Sequence, residues 1–186
     1  MADATTEKNA DDDVPTEKKL DDLYRLIDTI EVASLVTQTA RGSLVSRPMQ
    51  TQEHRPGVDV WFMSSVETGK IDEIRANPEV NLTYNSDKTK EWISISGTAT
   101  LTQDNHRIRE LYQPNWKAWF ENQGGQLDGG PNDPRIVLIE VEAHEVTYFK
   151  VDEPRPVVLF QIAKAMLTKG VPELGSLRHL GGSELR

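Results

Sequence analysis

From Val32 onward the chain is written in short runs rich in β-branched residues, and this pattern constrains the fold more than any other feature. The runs are Val32 to Thr39, Ser43 to Thr51, Val58 to Ser64, Glu79 to Tyr84, Glu91 to Thr102 and Arg135 to Val151. Ala40-Arg41-Gly42 is short enough to close the first two into a hairpin. After the third run, Thr68 can cap a helix, Asp72 and Glu73 suit its positive end, and Asn77-Pro78 stops it. Strands joined by tight turns and short helices predict a mainly β, antiparallel barrel. A doubly wound sheet would alternate its strands with longer helices.

The flanks read differently. Residues 1 to 15 are polar, carry Asp11, Asp12 and Asp13, and are almost free of large apolar groups, which predicts a disordered acidic tail. Thr16 can cap a helix that places Leu20, Leu23, Tyr24, Ile27 and Ile30 on one stripe. Asp104 to Tyr112 and Pro114 to Phe120 read as helical, and Gly124 to Pro134 as a loop. Val157 to Thr168 reads as an apolar-faced helix ended by Gly170 and Pro172. The division that follows is a tail over 1–15, a barrel domain over 16–151, and a C-terminal helix and tail over 152–186.

Composition narrows the function. The chain has 186 residues and no cysteine, which removes disulfides, thiolate nucleophiles, Fe–S clusters and Cys-ligated zinc. A net charge of −9 argues against a general nucleic-acid binder and leaves room for one local cationic pocket. No apolar run is long enough to span a membrane, and the N-terminus lacks the signature of a signal peptide, so a cytoplasmic protein is expected. His54, His106, His144 and His179 have no metal-ligand spacing, so no metal site is expected.

Three segments carry candidate chemistry. Ser46-Arg47-Pro48-Met49-Gln50 puts a proline where a strand is expected, so Arg47 is either a solvated arginine beside an edge or a cationic fork for a ligand. Met63, Ser64 and Ser65 end an apolar strand, and Thr68 and Lys70 follow at a helix start. These are the components of a monophosphate cradle, or of a capped helix with a solvated lysine. Trp116 and Trp119, at i and i+3, share a helical face, which means core packing, an oligomer contact or a wall for an aromatic ligand. Asp133, in Asn132-Asp133-Pro134, reads as a turn residue.

These segments stand in a telling order with Lys70-Ile71-Asp72-Glu73-Ile74, Asn77-Pro78-Glu79-Val80-Asn81-Leu82, Ser94-Ile95-Ser96-Gly97-Thr98-Ala99, Trp119-Phe120 and Asp133-Pro134. Over about residues 20 to 150 the chain resembles the general stress protein branch of the pyridoxamine 5′-phosphate oxidase-like, FMN-binding split-barrel family. The resemblance implies a six-stranded split β-barrel with flanking helices, and a homodimer with flavin sites between the subunits. It implies that Arg47, Pro48, Met49 and Gln50 line the flavin, and that Met63, Ser64, Ser65, Thr68 and Lys70 hold its phosphate end. Trp119 would reach the site from the partner chain. The implied cofactor is FMN, with FAD the alternative, and the implied activity is a flavin-dependent oxidoreduction of unknown substrate. A non-catalytic flavin-binding stress protein and a haem-binding relative are the competing readings. Gly69-Lys70 stands where true pyridoxamine-phosphate oxidases have Arg-Lys, Gln52 where they have a substrate-binding lysine, and Trp92 where they have a glutamine beside the flavin. The first departure implies weaker phosphate affinity, the second points away from vitamin B6 chemistry, and the third makes the flavin wall more apolar.

Overall fold

A computed structural model describes all residues except 1–3, 12, 56, 153–154, 169–171, 173 and 186. The elements in order are α1 (Ala4–Asn9), α2 (Thr16–Ile30), β1 (Val32–Gln38), β2 (Leu44–Gln50), β3 (Val60–Ser65), α3 (Gly69–Ala76), β4 (Glu79–Asn85) and β5 (Trp92–Thr102). They continue with α4 (Asn105–Leu111), a 3₁₀ helix (Pro114–Trp119), β6 (Ile136–Lys150), α5 (Arg155–Thr168) and β7 (Ser176–Gly181). The strands hydrogen-bond in the order β2-β1-β4-β5-β6-β3, with β7 beside β6, and the register pairs β1–β2, β3–β6 and β6–β7 are antiparallel. No described helix is long and apolar enough to cross a membrane.

The chain forms two compact units, one of Val32–Leu82 with Ser96–Ala143, the other of Met1–Glu31, Thr83–Ile95 and His144–Arg186. In the first, β1 and β2 form the expected hairpin: Thr39 N donates to Ser43 O at 2.8 Å, and Gly42 sits at φ +82°, where other residues are strained. Alternate residues of β1 and β4 are buried, as period-2 patterning requires. β6 starts in this unit as an unbroken buried run, Ile136 to Val141, paired with β3. Gly97 of β5 permits a close approach, since a Cβ there would lie 2.3 Å from Glu142 O. Asp104 caps α4, its carboxylate accepting from His106 N and Arg107 N.

The turn reading of Asp133 holds, and the residue does more than turn the chain. Its carboxylate is 2% exposed and accepts from Arg135 Nη2 at 2.6 Å, Arg135 Nε at 3.0 Å and Gly129 N at 2.8 Å. Gly129 is at φ +73°. One carboxylate thus closes the glycine-rich loop and carries β6 into the core.

In the second unit the N-terminal stretch departs from the expected disordered tail. It contains α1, Ala10 pairs in parallel with Leu177, and Arg178 Nη2 donates to Asp11 Oδ2 at 2.8 Å. The cause is a buried partner that local composition does not display: Arg178, on β7, also donates to Asp22 Oδ2 at 2.5 Å. Residues 1–3 and 12 of that stretch lie outside the described residues, as does Gly170. Thr16 begins α2 without capping it; Pro15 is the N-cap, and the Thr16 hydroxyl donates to Glu184 Oε1 at 3.3 Å. α5 is less one-sided than its reading as an apolar-faced helix, with Leu159, Phe160 and Leu167 all exposed.

The hydrogen bonds from Arg135, above all, lower the Asp133 pKa to about 2. A depressed folded-state pKa means the stabilisation is full above the unfolded value of about 3.9 and is lost as pH falls through about 2. Asp133→Asn leaves the Arg135 charge buried without its counterion and is expected to cost about 3–5 kcal/mol in urea unfolding at pH 7. The variant should also lose part of the wild type's decline in stability between about pH 4 and pH 2.

Candidate functional site

A cavity of about 710 Å³ opens in the unit that carries β1, β2 and β3. Pro48, Met49 and Gln50 of β2 line it, with Met63, Ser64 and Ser65 at the end of β3. Thr68, Lys70 and Trp119 complete the expected residues found there.

The polar wall is built by the turn from β3 into α3. Pairing with β6 sets Ser64 opposite Val137 and Ser65 opposite Ile136, and Val66 N donates to Arg135 O at 2.8 Å as the strand leaves the sheet. Thr68 was expected to cap α3. It occupies the N-cap position, but its hydroxyl donates backward to Ser65 O at 2.8 Å, and no side chain caps the helix. The first-turn amides of a helix have no intrahelical acceptor, so this end of α3 favours an anion. Lys70 is half-buried, and its Nζ donates to Ser64 Oγ at 3.0 Å and Thr68 Oγ1 at 3.1 Å. Among the described residues no carboxylate pairs with this ammonium. Burial, and then the nearby Arg47 charge, push its pKa below the usual lysine value.

Arg47 itself is the exception among the expected site residues: it does not line the cavity. Its Nη2 donates to Glu73 Oε2 at 2.7 Å and its Nη1 to Thr37 Oγ1 at 2.5 Å, while the Thr37 hydroxyl also donates to Glu73. The Thr37 hydrogen bond and then Arg47 hold the Glu73 carboxyl below its usual range. Arg47 is not simply solvated: it fastens β2 and β1 to α3, and its charge acts on Lys70.

The aromatic wall comes from the 3₁₀ helix. Trp116 and Trp119 do not share an environment as their spacing predicted, for Trp116 is 1% exposed and Trp119 is 78% exposed. Trp116 stands edge-on to Trp61 and Tyr112, with ring centroids 6.3 and 5.6 Å away, and its Nε1 donates to Gln52 Oε1 at 3.0 Å. Gln113, Asn115 and Phe120 line the cavity without having been expected there, beside Gln52, which stands at the position of a substrate-binding lysine, and Trp116, one of the two candidates for an aromatic wall. So do Val32, Thr51 and Glu53. Gln113 and Asn115 gave no sequence signal. Trp116 and Phe120 gave one in the aromatic cluster, which did not say which ring faces inward. Trp92 opens β5 in the other unit and is not among the lining residues. The exposed His54, His106, His144 and His179 do not line the cavity either.

The sequence profile of the family described as "Pyridoxamine 5'-phosphate oxidase like" matches residues 18–173. The chain belongs to this family. It is 29% identical to protein bli-3 of Neurospora crassa over 100% of this chain and 90% of that one. It is 26% identical to general stress protein 26 of Bacillus subtilis over 72% of this chain and 90% of its relative. Among solved structures it is similar to a general stress protein 26 from Jannaschia, with a TM-score of 0.67, 22% identity, and coverage of 89% of this chain and 99% of that one. A pyridoxamine 5′-phosphate oxidase-related, FMN-binding protein from Nostoc punctiforme aligns with a TM-score of 0.58 at 13% identity, covering 74% of this chain and 85% of that one. These likenesses give the fold: the mainly antiparallel, split-barrel-like architecture of the family, with flanking helices.

If Arg47 serves the fold, its loss must show without any ligand. Arg47→Ala is expected to lower the stability of the ligand-free protein by about 1.5–3 kcal/mol in urea. A double-mutant cycle with Glu73→Ala should return a coupling of at least ~0.5 kcal/mol; additive single losses would dissolve the assignment.

Proposed function

We propose that the cavity binds FMN and that the protein is a flavin-dependent oxidoreductase. The observation that carries this reading is the Lys70 ammonium, half-buried at the uncapped start of α3 with the Ser64 and Thr68 hydroxyls and, among the described residues, no carboxylate partner. A cation kept out of water in this way awaits an anion, and a phosphate ester fits its donors: one ammonium, two hydroxyls and first-turn amides. The thioethers of Met49 and Met63 and the rings of Trp116 and Phe120 offer apolar surface for a fused ring system. The FMN-binding relative from Nostoc punctiforme and membership of the family support the same reading.

When bound, FMN would supply hydride or electron transfer, and the protein would orient it and set its surroundings. Lys70, Ser64 and Thr68 would bind the phosphate. Trp116, held by Gln52 and by two neighbouring rings, would keep one wall dry and fixed. Among the described residues Glu53 and Lys70 are the only ionisable side chains lining the cavity, so with Lys70 on the phosphate proton donation there falls to Glu53 or to water. The same scarcity favours the second reading, a protein that holds flavin without turnover. Bleaching of the flavin-loaded protein by NADH or NADPH, with oxidation of a second substrate, separates the two.

We further propose a homodimer. Val32 and Trp119 both line the cavity and are 42% and 78% exposed, so the rim of the site is apolar and uncovered. The adjoining edge strand β2 exposes Leu44 as well.

Lys70→Ala is expected to weaken FMN affinity by roughly 10- to 100-fold, the worth of one charge-assisted contact, while leaving the melting temperature of the apo form nearly unchanged. Fluorescence titration with FMN tests it, and wild-type affinity in the variant would remove the cradle from consideration. Sedimentation should show a dimer that FMN stabilises by mass action. A monomer binding FMN stoichiometrically at low micromolar concentration would overturn the shared rim.

A further inference from the structure

Arg47, Arg55, Arg107 and Arg135 do not line the cavity, and each is held by a carboxylate. Arg47 is held by Glu73 at 2.7 Å. Arg55 lies over the Trp61 ring, 4.7 Å from its centroid, and pairs with Glu140, which also takes Arg107 at 2.7 Å. Arg135, 5.3 Å from the centroid of Phe120, is bound to Asp133 at 2.6 Å. Arg55 and Arg107 share the one Glu140 carboxylate, but neither lines the cavity, and among the described residues Lys70 is the one cation that does.

With Lys70 engaged by a flavin phosphate, the wall lined from the 3₁₀ helix, its flanks and the segment after β2 has no positively charged lining residue among those described. It consists of the rings of Trp116, Trp119 and Phe120, the amides of Gln52 and Gln113, and the Glu53 carboxylate. The Gln52 amide is already used at both ends, accepting from Trp116 Nε1 and donating to Gln50 O at 3.3 Å. An anionic ligand would shed its water against this wall without meeting a counterion, and would face Glu53. A flat, uncharged ring would meet aromatic edges and neutral donors.

We infer that the second ligand of this cavity, admitted beside bound flavin, is an uncharged, flat, unsaturated ring compound, not a phosphorylated or carboxylated one. This rests on the flavin reading above, and the experiment keeps the two apart. The protein is first loaded with FMN, and uptake is read from its visible spectrum. Equilibrium dialysis of the loaded protein then compares 2-methyl-1,4-naphthoquinone with 1,4-naphthoquinone-2-sulfonate at fixed ionic strength; the chain has no thiol for either to alkylate. The uncharged quinone should bind roughly tenfold or more tightly than the sulfonate. Gln113→Lys, which adds a cation to the wall, should narrow or reverse that preference, with Asn115→Lys as the alternative should the first variant not fold. Equal or tighter binding of the sulfonate by the wild type, or no saturable binding of the uncharged quinone by FMN-loaded protein, overturns the inference. Failure to take up FMN overturns the flavin reading, and this inference with it, before any quinone is added.

Discussion

The register of β3 against β6 decides where everything else in the cavity lies. Trp61 opposite Glu140 and Ser64 opposite Val137 are consequences of one alignment. A shift of a single residue would turn each side chain to the other face. Ser64 would then leave the reach of Lys70, and the Trp61 indole would lose its hydrogen bond to Glu53 O and its edge contact with Trp116. Both walls of the cavity are therefore set by the same ladder. The Asp133–Arg135 pair stands immediately before β6, so the buried ion pair and the register are parts of one arrangement.

Charge is arranged in layers around this frame. The chain is acidic overall, yet Arg47, Arg55 and Arg135 are largely buried in ion pairs and none lines the cavity. Buried guanidinium groups are costly unless paired, and each pairing removes a cation from the reach of a ligand. What the cavity presents is the remainder after these pairings: one ammonium among hydroxyls on one wall, and aromatic rings with amides on the other. Specificity here is a property of which charges the fold has already used.

Much of this was legible from local pattern. The β1–β2 hairpin, the strand ends of β3 and the short α3 follow from residue alternation, from Gly42 and from Asn77-Pro78, all of which act within a few positions. What escaped the sequence acts over distance. Arg47 has its carboxylate 26 residues away on α3, so nothing beside it says that its charge is taken. β7, between glycines and without a strong apolar run, is a strand because β6 extends far enough to receive it. Trp116 and Trp119 look alike in sequence, and only the partners of Trp116, Gln52 among them, decide which ring is inside.

The junction of Asp11 with Arg178 has a bearing on the order in which the protein is made. These residues are 167 positions apart, and the backbone joins them as well, Asp11 N donating to Leu177 O at 2.9 Å. A contact that closes so long a loop cannot form until β7 has left the ribosome. The unit that holds the cavity ends at Ala143, so all of its strands emerge while β7 is still unmade. Synthesis from the N-terminus thus gives the cavity-bearing unit a head start, and the N-terminal segment, though first to appear, is among the last to find its place.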